Sequence, residues 1–170
     1  EQALKVISSA LNMCDNLSPA DIEAKLHVAK ARCYIDSKPE FALENLNLAT
    51  GLIHNACTNK LPGYNYDILK QIAELTIKAT LNLDAKISGH NTLKLVLNIL
   101  RQADTAELPD TQTVFYLVGE EQSYCWHIAD NSVTLKLLPG KERLSEIVDT
   151  IVADPQSSLH EASIILPNNL

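Results

Sequence analysis

A chain of 170 residues, 46% of them apolar, is long enough for one domain or for a helical-repeat segment joined to part of another. Its formal charge of −7 argues against nucleic acid, whose phosphates demand clustered Lys and Arg, and no apolar run reaches the roughly 18 residues of a membrane span. The N-terminus lacks the basic-then-apolar order of a signal peptide, and Glu1 begins within a helical pattern rather than with Met, so the sequence reads as a piece of something longer.

Residues 1–13 place Ala3, Ile7 and Ala10 on one helical stripe. Ser18-Pro19-Ala20-Asp21 predicts an N-cap serine with proline at the first helical position, opening a helix to about Asp36 that carries Ala31 and Tyr34 near its end. Ser37-Lys38-Pro39 breaks the chain and starts a third helix, where Ala42, Leu46 and Ala49 repeat the first stripe. Leu61-Pro62-Gly63 closes this pair. A helix from Asn65 or Tyr66 to about Leu83 follows, with Ile68, Ile72, Leu75 and Ala79 on one stripe. Ser88-Gly89-His90-Asn91 then leads to another, with Leu93, Val96, Leu97 and Leu100 facing inward. The polar stretch from Gln102 to Pro109 is the natural domain boundary, dividing the chain into residues 1–105 and 108–170.

Beyond it the period changes from that of a helix to two. Val114, Tyr116 and Val118 alternate, as do Tyr124, Trp126 and Ile128, and then Val133, Leu135 and Leu137. Gly119-Glu120-Glu121 and Asp130-Asn131 supply the turns of a three-stranded antiparallel meander. Pro139-Gly140 leads into a helix from about Lys141 to Val152, whose stripe of Leu144, Ile147, Val148 and Ile151 can cover one face of the strands. Ser157 or Ser158 caps a last short helix through Ile165. The predicted class is α+β, an antiparallel helical segment followed by a meander with covering helices.

Two resemblances attach to these residues. Ala31, Tyr34, Ala42, Leu46 and Ala49, with Ala3, Ile7 and Ala10 as the second helix of a preceding repeat, resemble tetratricopeptide repeats, although the 39 residues from Ala3 to Ala42 exceed the usual period of about 34. Residues 108–170 look like the opening third of a CHAT domain, a caspase-like module often found downstream of such repeats. Tyr116, Gly119, Glu120, Tyr124, Trp126, Val133, Leu137, Pro139 and Leu166-Pro167 stand in the matching places. The CHAT resemblance implies a clan CD-type cysteine peptidase whose catalytic His and Cys lie on later strands, past Leu170. No catalytic residue is therefore carried onto this chain. The implied role is interaction and structural support or regulation of the caspase-like part; the alternative is a free-standing helical-repeat adaptor with no peptidase link.

The residues offer few rival sites. Cys125 and His127, two apart on a strand, share a face, but a strand interior exposes a nucleophile poorly and no Gly-rich turn nearby offers an oxyanion site. The five histidines are scattered and the four cysteines lack C-x-x-C spacing, so neither a metal nor a cofactor is expected, and the cysteines read as buried fillers of a reduced, cytoplasmic protein. Lys25 and Arg32, seven apart on one helix face, are the candidates for contacting a peptide in the groove of the helical segment. An exposed strand edge would add self-association. Charge is uneven, with 11 Lys+Arg against 12 Asp+Glu through Pro109 and 3 against 9 from Asp110 onward; a basic peptide partner is compatible with the acidic part, as is a plain solvated surface.

Overall fold

The computed structural model describes residues 2–14, 19–57, 66–101, 112–130, 132–156 and 158–166. Within them lie seven helices and one three-stranded antiparallel sheet, an α+β chain. Two compact units divide it. One holds helices α1 (Gln2–Met13), α2 (Ala20–Tyr34), α3 (Pro39–Cys57) and α4 (Tyr66–Leu83), with α5 (Gly89–Arg101) from Lys94 onward. The other holds Ser88–Leu93, strands β1 (Thr113–Leu117), β2 (Gln122–Ala129) and β3 (Ser132–Pro139), and helices α6 (Lys141–Ala153) and α7 (Leu159–Ile165).

In the helical unit α1 packs on α2, α2 on α3 and α3 on α4, and α2 also meets α4. The seam is built of small and aliphatic side chains. Ala24, Val28 and Ala31 of α2 and Ala42, Leu46, Ala49 and Ile53 of α3 are all at most 3% exposed. Alanine at every second contact lets helix axes approach closely, while each buried Leu or Ile contributes about 1.5–3 kcal/mol. Polar ties close the ends: Asn82 Nδ2 donates to the Ile35 carbonyl at 2.9 Å, a group that α2 itself leaves unpaired. Inside the α2–α3 contact, buried Asn45 donates to the Phe41 carbonyl at 2.7 Å and lies 3.0 Å from His27 Nδ1.

Three expectations for this unit are corrected. Pro19, with ψ 126°, stands before the helix rather than at its first position; its carbonyl accepts from Ile22, and Ser18 lies outside the described residues, as do Leu61-Pro62-Gly63. Ala3 is exposed, and α1 buries no residue fully, because α1 has α2 as its neighbour on one side. Cys33 is exposed and Cys14 half-buried, so among the described free thiols Cys125 alone is a buried filler.

The meander has the order β1-β2-β3. A two-residue loop joins β2 to β3, and Asp130 accepts the left-handed conformation, φ 49°, that such hairpin turns require. Residues opposite one another share a face, so Phe115, Trp126 and Leu135 form one row and Tyr116, Cys125 and Lys136 another on the reverse side. The alternating apolar sets of β1 and of β2 and β3 therefore face opposite sides. β2 is buried on both faces.

On the aromatic face Trp126 is fully buried, 5.7 Å from Phe115 and 6.0 Å from Tyr124 between ring centres. Its indole N–H donates to Thr92 Oγ1 at 2.9 Å, and Thr92 passes its own proton to the Gly89 carbonyl at 2.9 Å. Ser88 Oγ caps this helix by accepting from the Asn91 N–H at 3.2 Å. Gly89 lies so near β3 that a Cβ there would come within 2.5 Å of the Val133 carbonyl oxygen and 2.9 Å of the Leu135 nitrogen. The start of α5 thus covers the main chain of that edge strand.

The reverse face packs Cys125, Leu138, Val114 and Val118 against Leu144 of α6 and Ile165 of α7. Leu144 and Ile147 of the expected stripe are buried, but Val148 is 45% exposed, because the contact of α6 with the sheet is narrower than its apolar face. Ser158 does stand at the start of α7, yet its hydroxyl turns back to the carbonyls of Asp154 at 2.5 Å and Thr150 at 3.3 Å. It terminates α6 rather than capping α7.

Candidate functional site

The row Tyr116–Cys125–Lys136 crosses all three strands beneath the C-terminal end of α7. Lys136 Nζ donates to the carbonyls of Ser163 at 2.7 Å and Leu166 at 2.8 Å, and Tyr116 Oη donates to that of Ile165 at 3.0 Å. A helix end with orphan carbonyls and partial negative charge is thereby met by an ammonium and a phenol. Cys125, 1% exposed, sits between them in the row, directly opposite Tyr116 on β1 and Lys136 on β3.

This environment holds both groups protonated. Burial pushes the Cys125 thiol above its ordinary value, and neighbouring Tyr116 and Lys136 offset that only in part. A reactive cysteine requires the opposite balance. Burial, then the neighbouring thiol, pushes Tyr116 up from 10.0 to about 12. The residue as a whole is 43% exposed, with its hydroxyl held to the Ile165 carbonyl.

His127 has a different partner from Cys125. Its Nε2 lies 3.3 Å from the side-chain nitrogen of Gln112, an amide that only donates, so Nε2 is the acceptor there. The thiol and imidazole share a face, as their spacing implies, but Cys125 stands opposite Tyr116 while the imidazole pairs with Gln112.

Three outcomes follow for measurement. A thiol reagent at neutral pH is expected to modify exposed Cys33 promptly and Cys125 only after unfolding; equal rates for the two in the native protein would contradict the burial argument. Since the folded pKa of Tyr116 exceeds its unfolded value, the unfolded chain loses that proton first. Stability present below about pH 10 should therefore decline as pH rises toward about 12, and Tyr116→Phe should remove that part of the decline in denaturation curves. Lys136→Met should cost about 1 kcal/mol, given the partial exposure of its bonds, and show first as faster amide exchange in α7.

In the helical unit, Lys25 and Arg32 are both exposed on α2. Lys25 pairs with Asp21 one turn back at 3.6 Å, and Arg32 Nη2 donates to Gln71 Oε1 of α4 at 3.3 Å. Arg32 thus lies on the side where α2 meets α4. The two cations are not brought to a shared partner.

A concavity lies in the α/β unit, where an open groove of about 460 Å³ is lined by residues of α6, α7 and the sheet. Sequence reasoning passed over it and over Lys136, since both depend on which residues face each other across strands. Among the described residues no group of three or more His, Cys, Asp or Glu could hold a metal ion, and no helix is long and apolar enough to cross a membrane. No family model, curated protein or solved structure matches the chain.

Proposed function

We propose that this chain serves as the interaction and support part of a CHAT-type cysteine peptidase, with a tetratricopeptide-like helical unit for recognition and a caspase-like front sheet, and performs no cleavage itself. The observation that carries the reading is the ordered stack of α1 to α4, in which α2 meets α4 as well as α3. A helical repeat array needs this arrangement, because first helices must touch one another to line a common face. The seam of Ala31, Ala42, Leu46 and Ala49, buried as a tetratricopeptide-like pattern demands, supports the same reading.

Recognition is assigned to the face of α2 that carries Lys25 and Arg32, where an acidic or carboxylate-terminated peptide would compete with their partners Asp21 and Gln71. Titration of a fluorescein-labelled acidic peptide tests it. Replacing both residues by Ala should weaken binding about tenfold while stability changes by less than about 0.5 kcal/mol, as surface positions do. Binding that is unaffected by the double change would remove the groove assignment. Labelling by a thiol-reactive peptide probe that Cys125→Ala abolishes would instead make the chain an enzyme. For the peptidase link, the decisive observation is the parent coding sequence after Leu170, which should encode strands bearing His and then Cys.

One observation favours the free-standing adaptor. Gly89 covers the main chain of β3 at Val133 and Leu135, the kind of protection that a finished sheet gives its edge. Sedimentation distinguishes the two, since concentration-dependent association through a strand edge favours the unfinished caspase-like sheet and a strict monomer favours the adaptor.

A further inference from the structure

The groove of the α/β unit has an apolar floor of Val118, Leu138, Leu144 and Ile165, walled by Tyr116 and Val148. Both walls are large side chains left open, 43% and 45% exposed. Polar groups that could orient a small molecule are scarce. The Tyr116 hydroxyl already donates to Ile165, and Lys141 at the mouth is paired with Glu120 at 3.6 Å, which leaves Ser145. A small-molecule site needs several convergent polar groups, so the groove suits a peptide's apolar side chains better.

Charge decides what kind of peptide. On α6, Glu142 and Asp149 are exposed and seven apart, and Ser145 of the groove lies between them at i+3 and i−4, so helical spacing puts both carboxylates on the flank of α6 next to Ser145, outside the lining itself. Among the described residues of this unit each Lys and Arg is already engaged: Lys136 with α7, Lys141 with Glu120, and Arg143 with Glu146 at 2.6 Å. Lys141 is the cation that lines the mouth itself, and Glu120 beside it offsets its charge. A second copy would bring the same acidic rim against it, which like charges oppose.

We propose that this groove docks a short basic amphipathic segment of another protein, its apolar side chains entering over Tyr116 and Val148 and its Lys or Arg side chains meeting Glu142 and Asp149. The proposal stands apart from the peptidase reading and from the Lys25 and Arg32 face of α2, so either can fail without the other.

The test is fluorescence anisotropy of the whole chain with three labelled octapeptides, alternating Leu-Lys, Ser-Lys and Leu-Glu. Leu-Lys should bind, more weakly at roughly 0.15 M salt than at low salt, and the other two should not. Val148→Asp, at an exposed position, should weaken it about tenfold or more, as loss of a central apolar anchor does. Glu142→Lys with Asp149→Lys should weaken Leu-Lys and admit Leu-Glu. If Val148→Asp lost its far-UV dichroism, Ser145→Arg would carry the same test by placing bulk and positive charge at the mouth. Equal binding of Ser-Lys, no binding of Leu-Lys, indifference to the groove variants, or self-association abolished by Val148→Asp would each overturn the proposal.

Discussion

Replacing Trp126 by Ala should lower the stability of the α/β unit by about 3–5 kcal/mol, the range for deleting a large buried aromatic. Trp126 is fully buried, contacts Phe115 and Tyr124, and holds Thr92 through its indole N–H. A sheet of three strands has little else to hold its aromatic face, and domains of this size are stable by only about 5–15 kcal/mol. The loss would therefore take most of the unit's margin. Thr92→Val separates packing from hydrogen bonding: it keeps the shape but strands a buried N–H, for an expected cost of about 1–3 kcal/mol. Since Trp126 is the only tryptophan, its own emission reports the Thr92 variant, shifting to longer wavelength as the indole meets water. Chemical denaturation followed by near-UV dichroism measures the Trp126→Ala variant, whose remaining signal comes from tyrosines. Because the chain has two compact units, the helical unit should keep its far-UV signal at the midpoint of this loss. A Trp126→Ala protein within about 1 kcal/mol of the parent would show that the aromatic face contributes little.

The contrast between Trp126 and its neighbours shows what a linear pattern conveys. Alternation marks a strand because side chains on a pleated backbone alternate faces, and all three strands could be read from Val114 to Leu137 on that ground. Helices were legible for the same reason at their own period; Ala42, Leu46 and Ala49 are buried as their spacing predicts. Pairing register is another matter. Which residue of β1 faces which of β2 depends on the turn between them, so the row of Tyr116, Cys125 and Lys136 was not visible, although each member was. The width of a helix contact is likewise set by the partner: Val148 belongs to the stripe of α6 by arithmetic, but it stays 45% exposed and lines an open groove instead of the core. The groove exists because of that mismatch. Ser158 shows a related limit, since a serine before a helix is also a serine after one, and here the carbonyls of α6 take its hydroxyl.

Gly140→Val should be as damaging as the loss of Trp126, for the opposite reason. Gly140 has ordinary extended backbone, φ −66° and ψ 169°, so no special conformation requires glycine there. Space does. A Cβ at this position would collide with the Glu120 carbonyl oxygen and approach the Glu121 carbonyl oxygen at 2.7 Å and its carbon at 2.8 Å. All three atoms are main chain, which cannot rotate aside as a side chain would. They also belong to the turn that fixes the β1–β2 register, and the Lys141 N–H holds that turn by donating to the Gly119 carbonyl at 2.9 Å. Relief must come from parting α6 from the hairpin, which breaks this bond and loosens the packing of Leu144 on Cys125 and Leu138. Overpacking typically costs 1–3 kcal/mol, and with no flexible neighbour the cost here should reach about 3 kcal/mol or more for Val and about 2 for Ala. Urea denaturation of the two variants checks the order: Ala should fall between Val and the parent, with exchange of the β1 amides accelerated ahead of β3. If Gly140→Ala were neutral, α6 would have to be free to shift on the hairpin, and the walls of the groove would not be fixed.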